Sequence, residues 1–463
     1  MNDVVLHLNQ LALDLVAGDF SKPSNAPPSN GGPTRTARAL AIIHLAVYDA
    51  YGIFTAAFAP KLIAPPTAPV GFLASDENIA LVIGAAAFHA CKALYPDQPA
   101  ILSASISAYG PLFLHPLVRP VALSQFGEDV AQAWLDQRKT DNADKVRGDK
   151  DSEYIPSLEP GAHREDPFHP GQGYHGKNWG NVKPFILVNA AADAPLGKPF
   201  PAFPSLNDPA YAKAYNKVVV FGRDNTPLKD SAFRQKAEIG IFWGYDGSNK
   251  LGTPPRLYNQ VVREVAIKLN ANVQEKVRLF AAINAAMADA AIACWHWKYV
   301  YNFCRPVLGI READKGWGWG ASPAGDGNPI TVGNSFWSPL GAPKSNPPSG
   351  AGMGPETSDF TPNFPAYPSG HATFGAACFE VAAGLFGKKP KDITVSFVSD
   401  EFNGTTTDSH GAVRPRLVRT FNLQEAIDEN KISRIYLGVH WDFDAEGGDF
   451  VGSAVAKKVL AAF

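Results

Sequence analysis

Apolar residues recur at helical spacing along most of this chain, and patterns that alternate every second residue are scarce. That periodicity restricts the fold to an all-α class. Thr34 to Phe58 reads as a long helix opened near Pro33, with Ala41, Leu45 and Tyr48 on one face. Further helices are expected at about 76–95, 120–139, 209–221, 230–245, 257–271, 273–304, 369–386, 423–445 and 449–462. Ile393 to Val398 is the best short strand candidate.

Two irregular stretches break the helical pattern. Residues 140–208, rich in Gly, Pro and Asn, are expected to separate an N-terminal helical bundle (1–208) from a C-terminal one (209–463). Residues 311–367, rich in Gly, Pro, Ser and Trp, are too long for a plain connection and read as the wall or mouth of a site. A formal net charge of −2 gives nucleic acid or an anionic membrane no electrostatic hold, so neither is an expected partner. The apolar run Phe280 to Trp295 is interrupted by Asn284 and Asp289 and falls short of a membrane span. Met1-Asn2-Asp3 lacks the basic start of a signal peptide, which leaves a cytoplasmic location or leaderless export. Cys91, Cys294, Cys304 and Cys378 form no C-x-x-C pair and read as buried apolar residues.

Three short blocks in the C-terminal part carry the chemistry. In the first, Lys298 continues the apolar stripe of Phe280, Met287 and Cys294, and Arg305-Pro306 follows seven residues on, two turns further along the same face. A lysine on a buried face must meet an anion or lose its charge; the plainer alternative is a snorkelling lysine and an arginine capping the helix end. In the second, Pro368-Ser369-Gly370-His371 opens a helix with Ser369 as N-cap. The free amides there carry the positive end of the helix dipole, and Gly370 permits close approach to the main chain. An ordinary capped helix with an incidental histidine is the competing reading. In the third, Ser433-Arg434 and His440 follow a capping-box pattern at Asn422 and Glu425. Asp444 lies four residues after His440, on the same helical face, placed to accept the second imidazole N–H. A surface His–Asp pair is the alternative. Together the blocks offer three cations, a hydroxyl, a glycine amide and two imidazoles, a donor set suited to phosphate or vanadate.

Lys-x6-Arg-Pro, Pro-Ser-Gly-His and Ser-Arg-x5-His-x3-Asp, in this order, resemble the signature of the superfamily that joins type-2 phosphatidic acid phosphatases, bacterial acid phosphatases and vanadium haloperoxidases. The flanking sequence is similar to vanadium chloroperoxidases at 364–375 (Phe-Pro-Ala-Tyr-Pro-Ser-Gly-His-Ala-Thr-Phe-Gly), 243–249, 252–256, 398–404, 413–421 and 433–441. The resemblance covers most of residues 230–450, and more weakly 34–52.

It implies two helical bundles with the active site in the C-terminal one, vanadate as cofactor, and hydrogen peroxide and a halide as substrates. His440 would be the metal ligand. Lys298, Arg305, Ser369, Gly370 and Arg434 would hold the oxyanion, and His371 would act as acid–base. Lys298 would also polarise bound peroxide. Asp246 would pair with a site arginine, and Trp295 and Phe364 would line the halide's approach. A homo-oligomer is an expectation from the family alone. Asp442 stands where the fungal chloroperoxidase pattern has a basic residue, and the 405–412 loop is short. Both favour iodide or bromide over chloride. Two alternatives stay open: an acid phosphatase with His440 as nucleophile, oriented by Asp444, and His371 as leaving-group acid, or a non-catalytic oxyanion-binding helical protein. His163, Asp166, His169 and His175 read as a surface or interface loop rather than a metal site, and His44 as a core histidine.

Overall fold

The computed structural model describes residues 3–22, 26–113, 120–143, 154–190, 203–224, 231–316, 325–348 and 358–463. Parts of both irregular stretches, 144–153, 191–202, 317–324 and 349–357, lie outside the described residues. Among the described residues the chain forms thirteen α-helices and one two-stranded antiparallel sheet. The N-terminal helices are α1 (Val4–Asp19), α2 (Gly32–Thr55), α3 (Asp76–Leu94), α4 (Pro99–Phe113) and α5 (Val121–Arg138). They are followed by α6 (Pro209–Phe221), α7 (Ser231–Phe242), α8 (Pro254–Lys268), α9 (Val273–Tyr301), α10 (Pro306–Arg311), α11 (Gly370–Gly384), α12 (Leu423–Tyr436) and α13 (Asp442–Ala462). Strand β1 (Thr394–Phe397) pairs with β2 (Arg419–Asn422), with Thr394 opposite Asn422 and Phe397 opposite Arg419.

Helix α9 is the axis of the molecule. It opens on a reciprocal cap in which Asn272 Oδ1 accepts the Glu275 amide at 2.9 Å and the Glu275 carboxylate accepts the Asn272 amide at 2.8 Å. It packs against α2 on one side and α11 on the other. Leu279, Phe280, Ile283, Met287, Ile292 and Trp295 are all at most 1% exposed. Burial of each such side chain stabilises the fold by roughly 1.5–3 kcal/mol. One apolar core runs from α1 and α2 through α9 into α11 and α13. Measured from Val273 to Tyr301, α9 has the length and hydropathy to cross a bilayer, more than the interrupted run 280–295 suggested, and so do α2 and α3. In this fold 94% of that window of α9 is buried.

Several expectations from sequence are corrected. Helices α1 and α4 were not foreseen. Helix α1 is buried on most sides, from Val4 to Val16, so its apolar pattern has little period; α4 is broken up by three serines and a glycine. The helix expected to 304 ends at Tyr301, where Asn302 turns left-handed (φ 51°) and caps it by donating to the Lys298 carbonyl at 2.8 Å. Arg305 therefore does not share a face of α9 with Lys298. It is the N-cap of α10, and Pro306 begins that helix rather than ending the previous one. The helix expected over 423–445 also breaks. It stops at Tyr436, a turn follows with Gly438 at φ +71°, and α13 starts at Asp442. A Cβ at residue 438 would lie 2.1 Å from the Gly222 carbonyl oxygen, so only glycine fits this turn.

Helices α11 and α13 touch closely. Beta carbons at Gly448 and Gly452 would come within 2.4 Å of the Ser369 and Thr373 carbonyl oxygens. This contact fixes the N-terminus of α11 against the first turns of α13.

Candidate active site

Every block of the sequence arrives at the site on a helix terminus. Lys298 lies in the last turn of α9, Arg305 caps α10, and Ser369, Gly370 and His371 open α11. Arg434 ends α12, His440 sits in the turn that follows, and Asp444 is in the first turn of α13. Gly370, His371, Arg434 and His440 line one cavity of ≈ 200 Å³ together with Asp246, Trp295 and Phe364. Lys298, Arg305, Ser369 and Asp444 stand behind that wall.

His440 and Asp444 are paired, but not along one helical face. His440 precedes the N-cap of α13, and its Nδ1 lies 2.8 Å from Asp444 Oδ2, which also accepts the Trp441 amide at 2.9 Å. On the other side, Arg305 Nη1 lies 2.8 Å from His440 Nε2. A guanidinium only donates, so Nε2 must present its lone pair and Nδ1 must carry the proton. That tautomer suits either a metal ligand or a nucleophile. Burial, then the positive charges of Arg305, Lys298 and Arg434, hold the His440 pKa well below the ordinary imidazole value. Burial pushes the Asp444 carboxyl up to about 7, opposed by the Trp441 amide.

Burial first, then Arg434 and Arg305, hold the His371 pKa well below the ordinary imidazole value in the same way. Its ring bonds the Trp243 carbonyl, and Nε2 has no partner. Arg434 makes a two-pronged pair with Asp246, 2.9 Å on each side, as the sequence reading expected of that aspartate. Its Nε has no partner. Arg305 donates to the Phe364 carbonyl (2.9 Å) and the Val439 carbonyl (2.7 Å), while its Nη2 has none. Burial lowers its pKa to about 9. Ser369 caps α11, its hydroxyl 3.5 Å from the Ala372 amide, and its own amide donates to the Asp444 carbonyl at 2.8 Å.

Lys298 is fully buried, and its ammonium donates to the Pro365, Ala366 and Pro368 carbonyls. Burial pushes its pKa down to about 7. Three carbonyls pull the other way, because a neutral amine has only two N–H donors. Lys298 thus braces the 365–368 segment that leads into α11.

These unpartnered atoms are the test of what the cluster can hold. Leaving a buried donor without an acceptor costs about 1–3 kcal/mol. Here Arg305 Nη2 and Arg434 Nε are both buried and unpartnered; Arg305 bonds His440, which shares a cavity wall with Arg434 and the Gly370 end of α11. An oxyanion with several acceptor oxygens would satisfy them together, and vanadate and phosphate both fit.

Two sequence readings change. Asp442 pairs with Lys217 at 2.8 Å and does not line the cavity, so it does not stand in a halide's path. The His163–His175 loop is not a surface loop: His163, Asp166, His169 and His175 are 1%, 2%, 8% and 7% exposed. His169 pairs with Asp166 at 2.8 Å, and Asp166 also accepts the Thr361 amide at 2.8 Å, tying this loop to the cavity's rim. His175 lines the cavity itself, with Phe20, Thr253, Phe360, Asn363 and Phe374. Sequence reasoning missed it; the density of histidines in that loop was the available signal. His44 is a core histidine, bonded to Asn9 at 2.8 Å, and all four cysteines are free and buried.

A family model described as the VCPO second helical-bundle domain matches residues 278–463. The vanadium chloroperoxidase of Curvularia inaequalis is 30% identical over 512 aligned positions, covering 93% of this chain and 78% of that protein. Among solved structures, a bacterial vanadium-dependent iodoperoxidase superposes with a TM-score of 0.71 at 21% identity, covering 99% of this chain and 96% of its own. A bacterial vanadium-dependent chloroperoxidase in its apo form reaches 0.63 at 18% identity, covering 96% and 98%. The helical architecture, the oxyanion-holding cluster and the extent of the match to the Curvularia enzyme agree: this chain belongs to the vanadium haloperoxidase family.

Proposed function

We propose that the protein is a vanadium-dependent haloperoxidase that oxidises iodide or bromide with hydrogen peroxide to hypohalous acid. The observation that carries this reading is the pair of buried, unpartnered donors at Arg305 Nη2 and Arg434 Nε, beside a histidine whose Nε2 lone pair is engaged only by Arg305 Nη1. Vanadate, when bound, supplies a Lewis-acidic centre that activates peroxide toward attack by a halide. His440 Nε2 would be its protein ligand, and Asp444 holds the tautomer this needs. Arg305, Arg434, the Ser369 hydroxyl and the Gly370 amide would hold its oxygens. His371 Nε2, neutral and without a partner, would take the proton from incoming peroxide. Lys298 would act through its charge and by bracing the 365–368 segment. Trp295 and Phe364, with ring centroids 4.9 Å apart, would form the halide's wall. Preference for iodide or bromide over chloride now rests on the short 405–412 loop, since Asp442 faces Lys217. The division into bundles at 1–208 and 209–463 belongs to the same reading, with every cradle residue in the second.

The same cradle serves phosphoryl transfer, with His440 as nucleophile and His371 as leaving-group acid. The test is to load the pure protein with vanadate and to assay peroxide-dependent iodide and bromide oxidation beside phosphate monoester hydrolysis. Halide oxidation that requires vanadate is expected. Monoester hydrolysis without it would replace the proposal by a phosphatase, and inactivity in both with anion binding intact by a non-catalytic anion binder.

A further inference from the structure

Helix α8 begins with a hydroxyl that the helix itself cannot use. Thr253 is its N-cap, a place where a side-chain oxygen ordinarily accepts the amide of the second or third helical residue. Here the second residue is Pro255, which has no N–H, and the third amide, that of Arg256, donates to the Thr253 carbonyl at 2.9 Å. No side-chain cap bond forms. Thr253 is 1% exposed, and its Oγ1 has no partner.

Thr253 also lines the cavity of the candidate site. Among the described residues of that wall, the other polar side chains outside the cradle are engaged. His175 Nε2 lies 3.1 Å from Thr34 Oγ1, Asn363 Nδ2 donates to the Gln172 carbonyl at 3.2 Å, and Asp246 pairs with Arg434. The Gly247 amide donates to the Gly252 carbonyl at 2.8 Å, which brings the Thr253 end of this turn back to the Asp246 end.

The chemistry of this corner selects its ligand. A hydroxyl offers one donor and two acceptor sites, whereas a carboxylate only accepts. Asp246 therefore gives a halide no hydrogen bond here. The two groups together suit a small neutral molecule that both donates and accepts. Of the substrates in the proposed reaction, hydrogen peroxide has that character: it is uncharged at neutral pH, with two O–H donors and lone pairs on both oxygens.

We propose that Thr253 is the peroxide-docking residue of this cavity, holding hydrogen peroxide by its hydroxyl on the Asp246 side before the peroxide reaches His371. The identity of the ligand rests on the peroxidase reading. Thr253→Val keeps the shape of the side chain and removes the hydroxyl; Thr253→Ser keeps the hydroxyl. In the vanadate-loaded enzyme the Val variant should raise the KM for peroxide about fivefold, the scale of one lost neutral hydrogen bond, and the Ser variant should stay within about twofold of wild type. The KM for iodide and the vanadate Kd should stay within about twofold in both.

Two measurements need no turnover. Vanadate-free crystals soaked in peroxide should show two joined oxygens within about 3 Å of Thr253 Oγ1, lost in the Val variant. The unfolding midpoint of the vanadate-free Val variant should match wild type, because no bond within the protein is removed. A marked drop would give the hydroxyl a structural role and overturn the proposal. So would a single water at Thr253 in the soaked crystal, or a rise in iodide KM and vanadate Kd parallel to that for peroxide. Peroxide density with an unchanged KM in the Val variant would mark binding at crystal concentration only and overturn it too. Vanadate-dependent halide oxidation with that KM unchanged would leave the peroxidase reading standing without this site. Peroxide at Thr253 in a protein that oxidises no halide would do the reverse.

Discussion

Buried charge is treated in two opposite ways within this one core. Asp49 in α2 and Asp289 in α9 are each fully buried, and each is surrounded by donors. Asp49 accepts the Lys61 and Leu62 amides (2.7 and 2.9 Å) and Trp134 Nε1 (2.9 Å); Asp289 accepts the Phe185, Ile186 and Leu187 amides (2.6, 2.8 and 2.8 Å). Burial raises both carboxyls to about 6. They tie loops to helices, and nothing about them is left over. In the cradle, Arg305 Nη2, Arg434 Nε, His371 Nε2 and Asp444 Oδ1 are equally buried and have no partners. The first arrangement offsets the cost of burial with donors from the protein itself. The second keeps binding capacity in reserve for something that is not protein.

Substitutions should separate these two kinds of site. The largest effect belongs to His440→Ala. Vanadate-dependent halide oxidation should fall by more than about 10³-fold and vanadate binding by calorimetry should vanish, with the unfolding midpoint little changed. Retained turnover would remove His440 from the ligand's place. Asp289→Ala should show the reverse pattern. It strands three amides, so urea unfolding should report a loss of about 3 kcal/mol, while the folded fraction binds vanadate normally. An unaffected stability would break the contrast at its structural end.

His371→Leu comes next. Turnover should drop about 100-fold while affinity for tungstate, an unreactive oxyanion, changes less than about threefold. Stability should change little, because a buried unpartnered nitrogen is removed while the Trp243 carbonyl loses the bond to the ring. Equal losses of affinity and rate would argue against proton transfer at this residue. The smallest effect is a pH dependence. Lys298, lowered from its ordinary 10.5 to about 7, is charged below that pH and neutral above it. Tungstate, a dianion throughout, should therefore bind more weakly as pH rises through about 7, and Lys298→Met should flatten the profile. A flat wild-type profile would mean that the three carbonyls keep the ammonium charged.

What could be read from the sequence, and what could not, divides along the same physical line. The chemical blocks were legible because their residues are close in sequence and unusual in kind: a lysine on an apolar stripe, a Ser-Gly-His helix start, a histidine four residues before an aspartate. Their local geometry was less legible. The breaks at Asn302 and at Gly438 depend on left-handed backbone and on the close approach of Gly222, a contact between distant segments. His440 and Asp444 were paired for the wrong reason, since one lies before a helix and the other in its first turn. His175 stood out only as one of several histidines in a loop, and its place at the cavity was hidden because its partners are remote; Thr34 is 141 residues away. Helix α1 was missed because a helix buried on most sides has no stripe to see.

Asp444 binds His440 through its carboxylate and Ser369 through its carbonyl oxygen, so it spans the second and third blocks by itself. The relative placement of those blocks is thereby measured across space by one residue, and not along the chain that joins them. The exposed tip of the connecting segment, residues 410–413, can then lengthen or shorten without moving the cradle. A single residue inserted between His440 and Asp444 would rotate the imidazole away from its partner. Variation in length should be tolerated at that tip and nowhere within the five positions from His440 to Asp444.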